Sequence, residues 1–354
     1  MTDQLPTLQG PVCPVPKQHD QKIVLGHGSG GKMMTDLIQE IFYPPLTNPT
    51  LSAGNDAGVV QVPPGKALAV STDAHVVSPL FFPGGDIGKL AVCGTVNDVA
   101  MMGAEPHFLT ASFILEEGLP MSTLHKIVYS MQAAAEEAGV QVIAGDTKVV
   151  AHNEADQIYI STTGVGSLDP RRKIGGEGAQ PGDAVLISGT MGDHGIAVLE
   201  ARGELGFETQ LESDVAPLNH LVQEILEASS RVHVLRDPTR GGVASALNEI
   251  ARQSGVGIVL DEQALPVQPA VDSACELLGF DPLYVANEGK CLVIVDPEDA
   301  EQVLGAMRRS PYGSDAVQIG VVQSKPRGRL LMKTGLGSTR VVEVLAGEML
   351  PRIC

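Results

Sequence analysis

Five aspartates stand where apolar segments begin or end. Asp56 opens a strand-like run in GNDAGVV, Asp73 follows one in ALAVSTDAHVV, and Asp146 follows another in VQVIAGDTKVV. Asp98 sits beside Asn97 inside the apolar CGTVNDVAMMG, and Asp237 precedes Pro238 and a glycine pair in RDPTRGGVASALNEI. The strand mouth of an α/β sheet is where ligands settle, and a carboxylate among apolar neighbours is costly unless a cation or hydrogen bonds meet it. Each aspartate alone could be a helix cap, a turn residue or a solvated charge. As a set they have the pattern of an oxygen-ligand site for several Mg²⁺ ions on a triphosphate. In DPTRGG, Thr239 and Gly241 open a helix start suited to an anion.

Two further groups suit chemistry rather than binding. Glu288, in NEGK ahead of the strand CLVIV, is placed either to take a proton or to be a surface charge on a hairpin turn. Lys148, two residues after Asp146, could neutralise a transferring phosphoryl group or donate a proton. The stretch GHGSGGKM, residues 26–33, follows the short strand KIVL and fits GxxxxGK until Met33 replaces the Mg²⁺-binding hydroxyl. His27, Gly28, Ser29 and Lys32 then form a loop able to close over a phosphate, or a Gly-rich turn into the helix MMTDLIQEIF. Finally, the chain ends in EMLPRIC, so Cys354 offers a thiol on the last residue. With Cys13, Cys93, Cys275 and Cys291 it makes an odd set without CxxC spacing, which excludes a zinc ribbon or a disulfide framework.

Elements must hold these groups in place. The 354 residues suffice for two domains, and 43% hydrophobic content with 3% aromatic residues and 40 glycines predicts cores of Ala, Val, Leu and Ile joined by tight turns. Strands are expected near 57–62, 67–72, 107–114, 140–144 and 157–165, with helices near 86–102 and 121–138. After a Gly-rich, charged segment at 171–183, strands are expected near 184–188, 256–260, 283–286, 290–295 and 316–322. Helices alternate with them near 193–202, 217–229, 240–253, 268–278 and 297–308. Adjacent hairpin-like strands favour an α/β fold of mixed sheets covered by helices. The expected division is a loose arm at 1–20, domains at 21–170 and 171–334, and a tail at 335–354. A formal charge of −18 repels nucleic acid and anionic membranes. The N-terminus has no basic flank before an apolar run and no window reaches membrane-span length, so the expected address is the cytoplasm.

The segments STDAHVVSPLFFPGGDIGKLAVCGTVNDVAMMGAEP, FILEEGLP, AGDTKVV, RDPTRGG, VANEGK and LPRIC resemble the HypE family of hydrogenase maturation carbamoyl dehydratases. That family lies in the superfamily of aminoimidazole ribonucleotide synthetase, selenophosphate synthetase and thiamine-monophosphate kinase. DPTRGG and NDVAMMG carry only the superfamily likeness, whereas the terminal PRIC and PLFFPGG point to this member, over nearly the whole chain after about residue 20.

The resemblance implies two α/β domains of the aminoimidazole ribonucleotide synthetase-like type, a homodimer through a β-barrel shared by the N-terminal domains, and ATP with Mg²⁺ near that interface. It implies Asp56, Asp98 and Asp237 as metal ligands and Asp73, Asn97 and Asp146 at the nucleotide. Asn55, where the superfamily often has a second Asp, departs from the pattern. It further implies that a carbamoyltransferase, HypF, loads Cys354, that ATP drives dehydration of the thiocarboxamide to a thiocyanate, and that the cyanide passes to iron on a HypC–HypD scaffold. Lys148 and Glu288 are the candidates for polarising the carboxamide and taking its proton. The sequence also admits two alternatives: a sibling synthetase making a phosphorylated small molecule, and a non-catalytic scaffold using Cys354 as a soft donor.

Overall fold

The structure is a computed structural model that describes residues 21–29, 32–52, 57–58, 60–203, 210–344 and 353. Asp56, Cys354 and the expected arm at 1–20 lie outside the described residues.

The chain enters by an isolated antiparallel bridge, Lys22 to Pro120, and a 3-10 turn, Leu25–Gly28, where a strand KIVL was expected. Short helices follow: α1 (Lys32–Leu37), a π turn (Ile38–Phe42), α2 (Tyr43–Leu46) and α3 (Pro49–Ser52). The described part of 57–62 forms no strand. The first sheet comprises β1 (Ala67–His75), β4 (Glu105–Glu116), β5 (Gln141–Val150) and β6 (Ile158–Leu168), in the order β1-β6-β4-β5. Its pairs are antiparallel except β4 with β5, which α5 (Met121–Ala138) joins as a crossover. Leu124, Ile127, Val128, Met131, Ala135 and Ala138 of α5 recur at helical spacing and are buried. Gly139, at φ 70°, ends the helix in the left-handed region that glycine tolerates.

A two-residue hairpin, β2 (Phe81–Phe82) with β3 (Gly85–Asp86), leads into α4 (Ile87–Met101). The Asp86 side chain accepts from the N–H groups of Gly88 and Lys89 at 2.7 and 3.2 Å and caps the helix. Nearly every residue of α4 is buried, because the helix lies between the first sheet and elements of the second half.

The second sheet has seven strands: β7 (Ala184–Ile187), β8 (Val232–Arg236), β9 (Gly257–Asp261), β10 (Leu292–Val295), β11 (Val317–Gln323), β12 (Arg329–Lys333) and β13 (Thr339–Val342). Their order is β13-β12-β9-β11-β7-β10-β8, with β12 and β9 the parallel pair. Helices α6 (Asp193–Ala201), α7 (Asn219–Ala228), α8 (Gly242–Ser254), α9 (Pro269–Leu278) and α10 (Ala300–Met307) accompany it. The sequence reading omitted β8, β12, β13 and the β2–β3 hairpin, and its strand at 283–286 is a 3-10 turn, Pro282–Tyr284. Pro282 has no N–H for a ladder, and the Asp281 side chain caps the turn by accepting from the Leu283 N–H at 3.0 Å. Strand β13 also lies within the segment expected to be tail, so regular structure continues to Val342.

Candidate active site

Alternation along β1 sends Ser71, Asp73 and His75 to one face. Helix α4 crosses that face at Gly94, where a Cβ would stand 3.0 Å from His75 Cε1. One turn later Asp98 meets the same strand: Ser71 Oγ donates to Asp98 Oδ2 at 2.7 Å. Buried His75 has its Nε2 3.3 Å from Thr162 Oγ1 and 3.8 Å from Asp73 Oδ2. Thr162 gives its proton to the Ala91 carbonyl at 3.0 Å, so its hydroxyl accepts from the His75 Nε2–H. Burial lowers the His75 pKa against the pull of Asp73, so the ring is neutral.

Here β1 and α4 meet the loop after β8 and the turn before β10 around a cavity of ≈ 210 Å³. Asp73, Asp98, Asp237, Thr239, Arg240 and Glu288 line it, so four carboxylates converge from four separate parts of the sequence. Burial, with repulsion from Asp98, pushes the Asp237 carboxyl up to about 7. Burial also raises Asp98, with Asp73 adding to the shift and the Ser71 hydroxyl opposing it. Glu288 is raised well above its ordinary value by burial first and then by Asp214 and Asp237. Its Oε1 is buried with no hydrogen-bond partner among the described residues.

This donor set is all oxygen, which fits a hard cation such as Mg²⁺. Among the described residues no three His, Cys, Asp or Glu side chains close on one point as a metal site. An ion here would therefore complete its shell with other oxygens, such as phosphates and water.

The turn holding Glu288 is fixed from both sides. Asn97 Nδ2 donates to the carbonyls of Ala216 and Glu288 at 3.0 and 3.3 Å, and its Oδ1 accepts from the Leu218 N–H at 2.7 Å. Asp214 Oδ1 accepts from the Glu288 N–H at 3.0 Å. Asn97, expected at the nucleotide, is thus 1% exposed and committed to backbone of the second half. Lys290 lies 3.7 and 3.6 Å from carboxylate oxygens of Asp193 and Asp214 behind this turn.

Asp146 and Lys148 lie elsewhere. Asp73 pairs in register with Thr162, and Thr162 with Ala111, on the face covered by α4. Ser112 and Ile114 belong to the alternate set and stand in register with Asp146 and Lys148, on the opposite face. There Lys148 Nζ donates to both Asp146 oxygens at 2.8 and 2.7 Å, both side chains being more than half exposed. This bond holds the Asp146 carboxyl below its ordinary value.

The described residues of the 26–33 loop bond to their own backbone and pack on β5. His27 is buried, and its Nδ1 accepts from the Val24 N–H at 3.0 Å; Ser29 Oγ donates to the Gly26 carbonyl at 2.8 Å. Gly28 packs so closely on β5 that a Cβ would lie 2.7 Å from the Val149 nitrogen, next to Lys148. Lys32 begins α1 and is exposed. Thr239 lines the carboxylate cavity, whereas Gly241, at φ 75°, is the N-cap of α8.

Sequence reasoning passed over Ser71, His75, Arg240 and Asp214. His75 carried a usable signal, being two residues from Asp73 on a strand, and Arg240 stood inside DPTRGG. Asp214 carried none, since residues 210–218 form no regular element.

Ile353 docks into the protein. Ile353 is 3% exposed within the same core cluster as Phe82, Ile196 and Val215. Its carbonyl accepts from His194 Nε2 at 2.7 Å, and Ser213 Oγ lies 2.8 Å from His194 Nδ1. The described cysteines, Cys93, Cys275 and Cys291, are buried. Burial raises all three thiols, Cys275 to about 11, which disfavours their thiolates at neutral pH.

Comparison with known proteins places this geometry in a family. Residues 54–168 match the N-terminal domain model of AIR synthase related proteins, and residues 180–333 match the C-terminal one. The carbamoyl dehydratase HypE of Cupriavidus necator is 55% identical over 94% of this chain and 95% of its own length. A crystal structure of the hydrogenase maturation protein HypE in complex with ATP aligns with a TM-score of 0.89 at 48% identity, covering 94% of this chain and 99% of that one. HypE in a crystallised HypE–HypF complex is 50% identical, with a TM-score of 0.77 over 87% of this chain and 99% of that one. The chain thus belongs to the HypE family of carbamoyl dehydratases, on the paired domains of AIR synthase related proteins.

Proposed function

We propose that this protein uses ATP to dehydrate a carbamoyl group carried on Cys354 to a thiocyanate, in the cytoplasm, as the source of cyanide ligands for a NiFe hydrogenase. The observation that carries this reading is the docked Ile353. Ile353 precedes Cys354 and bonds His194, and His194 bonds Ser213, whose neighbour Asp214 holds the Glu288 backbone. A thiol delivered there would be presented to the carboxylate site.

The thiocarboxamide oxygen attacks the γ-phosphorus, the bond to ADP breaks, and nitrogen loses one proton. The resulting imidate phosphate loses its second N–H proton and expels phosphate, leaving C≡N on sulfur. Glu288 is our candidate proton acceptor, because it lines the cavity and its Oε1 is buried with no hydrogen-bond partner among the described residues. Asn97 and Asp214 act on the reaction by fixing the Glu288 backbone. Mg²⁺, held by Asp98 and Asp237 with Asp56 as a further candidate, would neutralise the triphosphate. Asp73, Thr239 and Asp146, with the 26–33 loop, are the candidates for nucleotide contact.

Lys148, the candidate for polarising the carboxamide, is separated from Glu288 by the thickness of the first sheet. A homodimer would change the setting of Lys148. The outer face of that sheet leaves Leu68, Val70 and Ile114 53%, 63% and 40% exposed, an apolar surface suited to a second copy. Pairing there would desolvate Lys148 and set it against the second copy. The carbamoyltransferase HypF is the proposed loading partner, and a HypC–HypD scaffold the proposed recipient.

Mass spectrometry of the C-terminal peptide tests the reading. Incubation with the carbamoyltransferase should add about 43 Da at Cys354, and ATP should then remove about 18 Da. A carbamoyl adduct that persists through ATP turnover would overturn it, as would full activity after deletion of Cys354.

A further inference from the structure

His194 is the second residue of α6 and is fully buried, yet both ring nitrogens are engaged. A carbonyl only accepts, so the 2.7 Å bond to Ile353 requires a proton on Nε2. Nδ1 is then the acceptor, and the Ser213 hydroxyl donates to it at 2.8 Å. Burial keeps the ring neutral despite the pull of Asp214, which preserves this tautomer. Phe82 stands edge-on to the ring, with centroids 5.4 Å apart at 88°.

The Ser213 side of the arrangement is rigid. Its N–H donates to the Pro83 carbonyl at 2.8 Å, and its Oγ also accepts from the Val215 N–H at 3.1 Å. Gly84, at φ 87°, lies so near that a Cβ would fall 2.7 Å from the Ser213 carbonyl oxygen.

Apolar burial of Ile353 supplies attraction without direction. The hydrogen bond supplies direction, because the bonded carbonyl belongs to the planar peptide that joins Ile353 to Cys354. Fixing that oxygen orients the unit that carries the terminal residue. On the other side, Ser213 and Asp214 are adjacent, so a short covalent and hydrogen-bonded path runs from the tail to Glu288.

We propose that His194 is the latch of the C-terminal tail, a positioning residue that holds the Ile353 carbonyl in the docked state for dehydration and must let it go while the transferase loads Cys354. Its catalytic consequence rests on the function proposed above; the docking itself does not. Loading and dehydration therefore place opposite demands on one hydrogen bond, and its strength sets how the tail divides its time.

The test uses the full chain and three variants, His194→Phe, His194→Gln and Ser213→Ala. Alkylation of Cys354 by iodoacetamide, followed by mass spectrometry of the C-terminal peptide, reports undocking without reference to catalysis. His194→Phe should raise the alkylation rate roughly tenfold, the equivalent of one hydrogen bond, and Ser213→Ala should raise it roughly threefold. His194→Gln, whose amide can reach the same carbonyl, should stay near the parent rate. On carbamoylated protein, His194→Phe should slow ATP-dependent dehydration by a similar factor while loading by the transferase is undiminished.

An unchanged alkylation rate in a folded His194→Phe protein overturns the latch, and so does a parallel loss of loading and dehydration. If circular dichroism shows that His194→Phe does not fold, Ser213→Ala decides, and a rate equal to the parent's overturns the latch. Faster alkylation in variants of a parent that never dehydrates its carbamoyl group would sustain the latch and sink the proposed function.

Discussion

Two acidic groups on opposite faces of the first sheet differ in one physical respect, how directly a counter-charge meets them. Asp98, Asp237 and Glu288 crowd a cavity beneath α4, where burial and mutual repulsion raise all three pKa values. Asp146, on the other face of the same sheet, is held low by Lys148 in open solvent. The first group is strained without a cation and gains from any that arrives. The second is already neutralised, and changes character only if something displaces the water around it. Buried carboxylates crowded on one another thus point to a ligand, whereas an exposed pair points to a partner surface.

The largest break in that comparison is expected at Glu288. Glu288→Gln keeps the shape and the Asn97 and Asp214 bonds to backbone, but cannot accept the proton. Single-turnover dehydration should fall by roughly 10²- to 10⁴-fold, with carbamoyl loading intact. A loss smaller than tenfold would reassign the base. Lys148→Ala should cost less, roughly 10- to 100-fold. Val70→Arg, a charge on the exposed apolar face, should separate the dimer on size exclusion and slow turnover to a similar degree. Combined with Lys148→Ala it should cost little more, because both remove one contribution. Fully additive losses would divorce Lys148 from the interface.

How much of this was legible in the sequence depends on the range of the interaction involved. Helix α5 follows from local spacing and a C-cap glycine, and the expected 121–138 matches its bounds. Asp73, Asp98, Asp237 and Glu288, each singled out at an element end, fall on one cavity. The separation of Asp73 from Asp146 was not legible. It depends on strand register between residues some ninety apart, such as Asp73 with Thr162, and a one-residue slip would reverse it. Asn97 is placed at the nucleotide by family resemblance, and its hydrogen bonds to backbone groups more than a hundred residues away carry no signal in the local sequence. Lone edge strands such as β13, with three of four residues exposed, lack the apolar alternation that announces a strand.

A smaller effect, of opposite sign to the catalytic losses, is expected for stability at Asp237. Its carboxyl has an ordinary pKa of 3.8 and a folded value of about 7. A raised value means that the fold favours the protonated form. Stability from that preference is complete below about pH 4 and is lost as pH rises to about 7. Asp237→Asn cannot ionise, so the metal- and nucleotide-free variant should exceed its parent by on the order of 4 kcal/mol at pH 8. The advantage should disappear near pH 4. Thermal melts across that range check it, and adding Mg²⁺ with ATP should raise the parent's Tm more than the variant's. A gap that does not change with pH would mean that Asp237 is already balanced by charge.

The smallest effect is expected at Asp146, and its smallness is the point. Its folded pKa is lowered, so the Lys148 bond contributes stability above the unfolded value and loses it as pH falls through the folded one. Because both side chains are more than half exposed, water screens most of that gain. Asp146→Asn should change monomer stability by less than about 0.5 kcal/mol at pH 7. In the dimer, closure over the outer face would remove that screening and leave Lys148 without its carboxylate. The same substitution should then weaken association, read as a higher dimer dissociation constant in sedimentation equilibrium. If monomer and dimer respond alike, the pair remains solvated in both, and the outer face is not the surface on which the two copies meet.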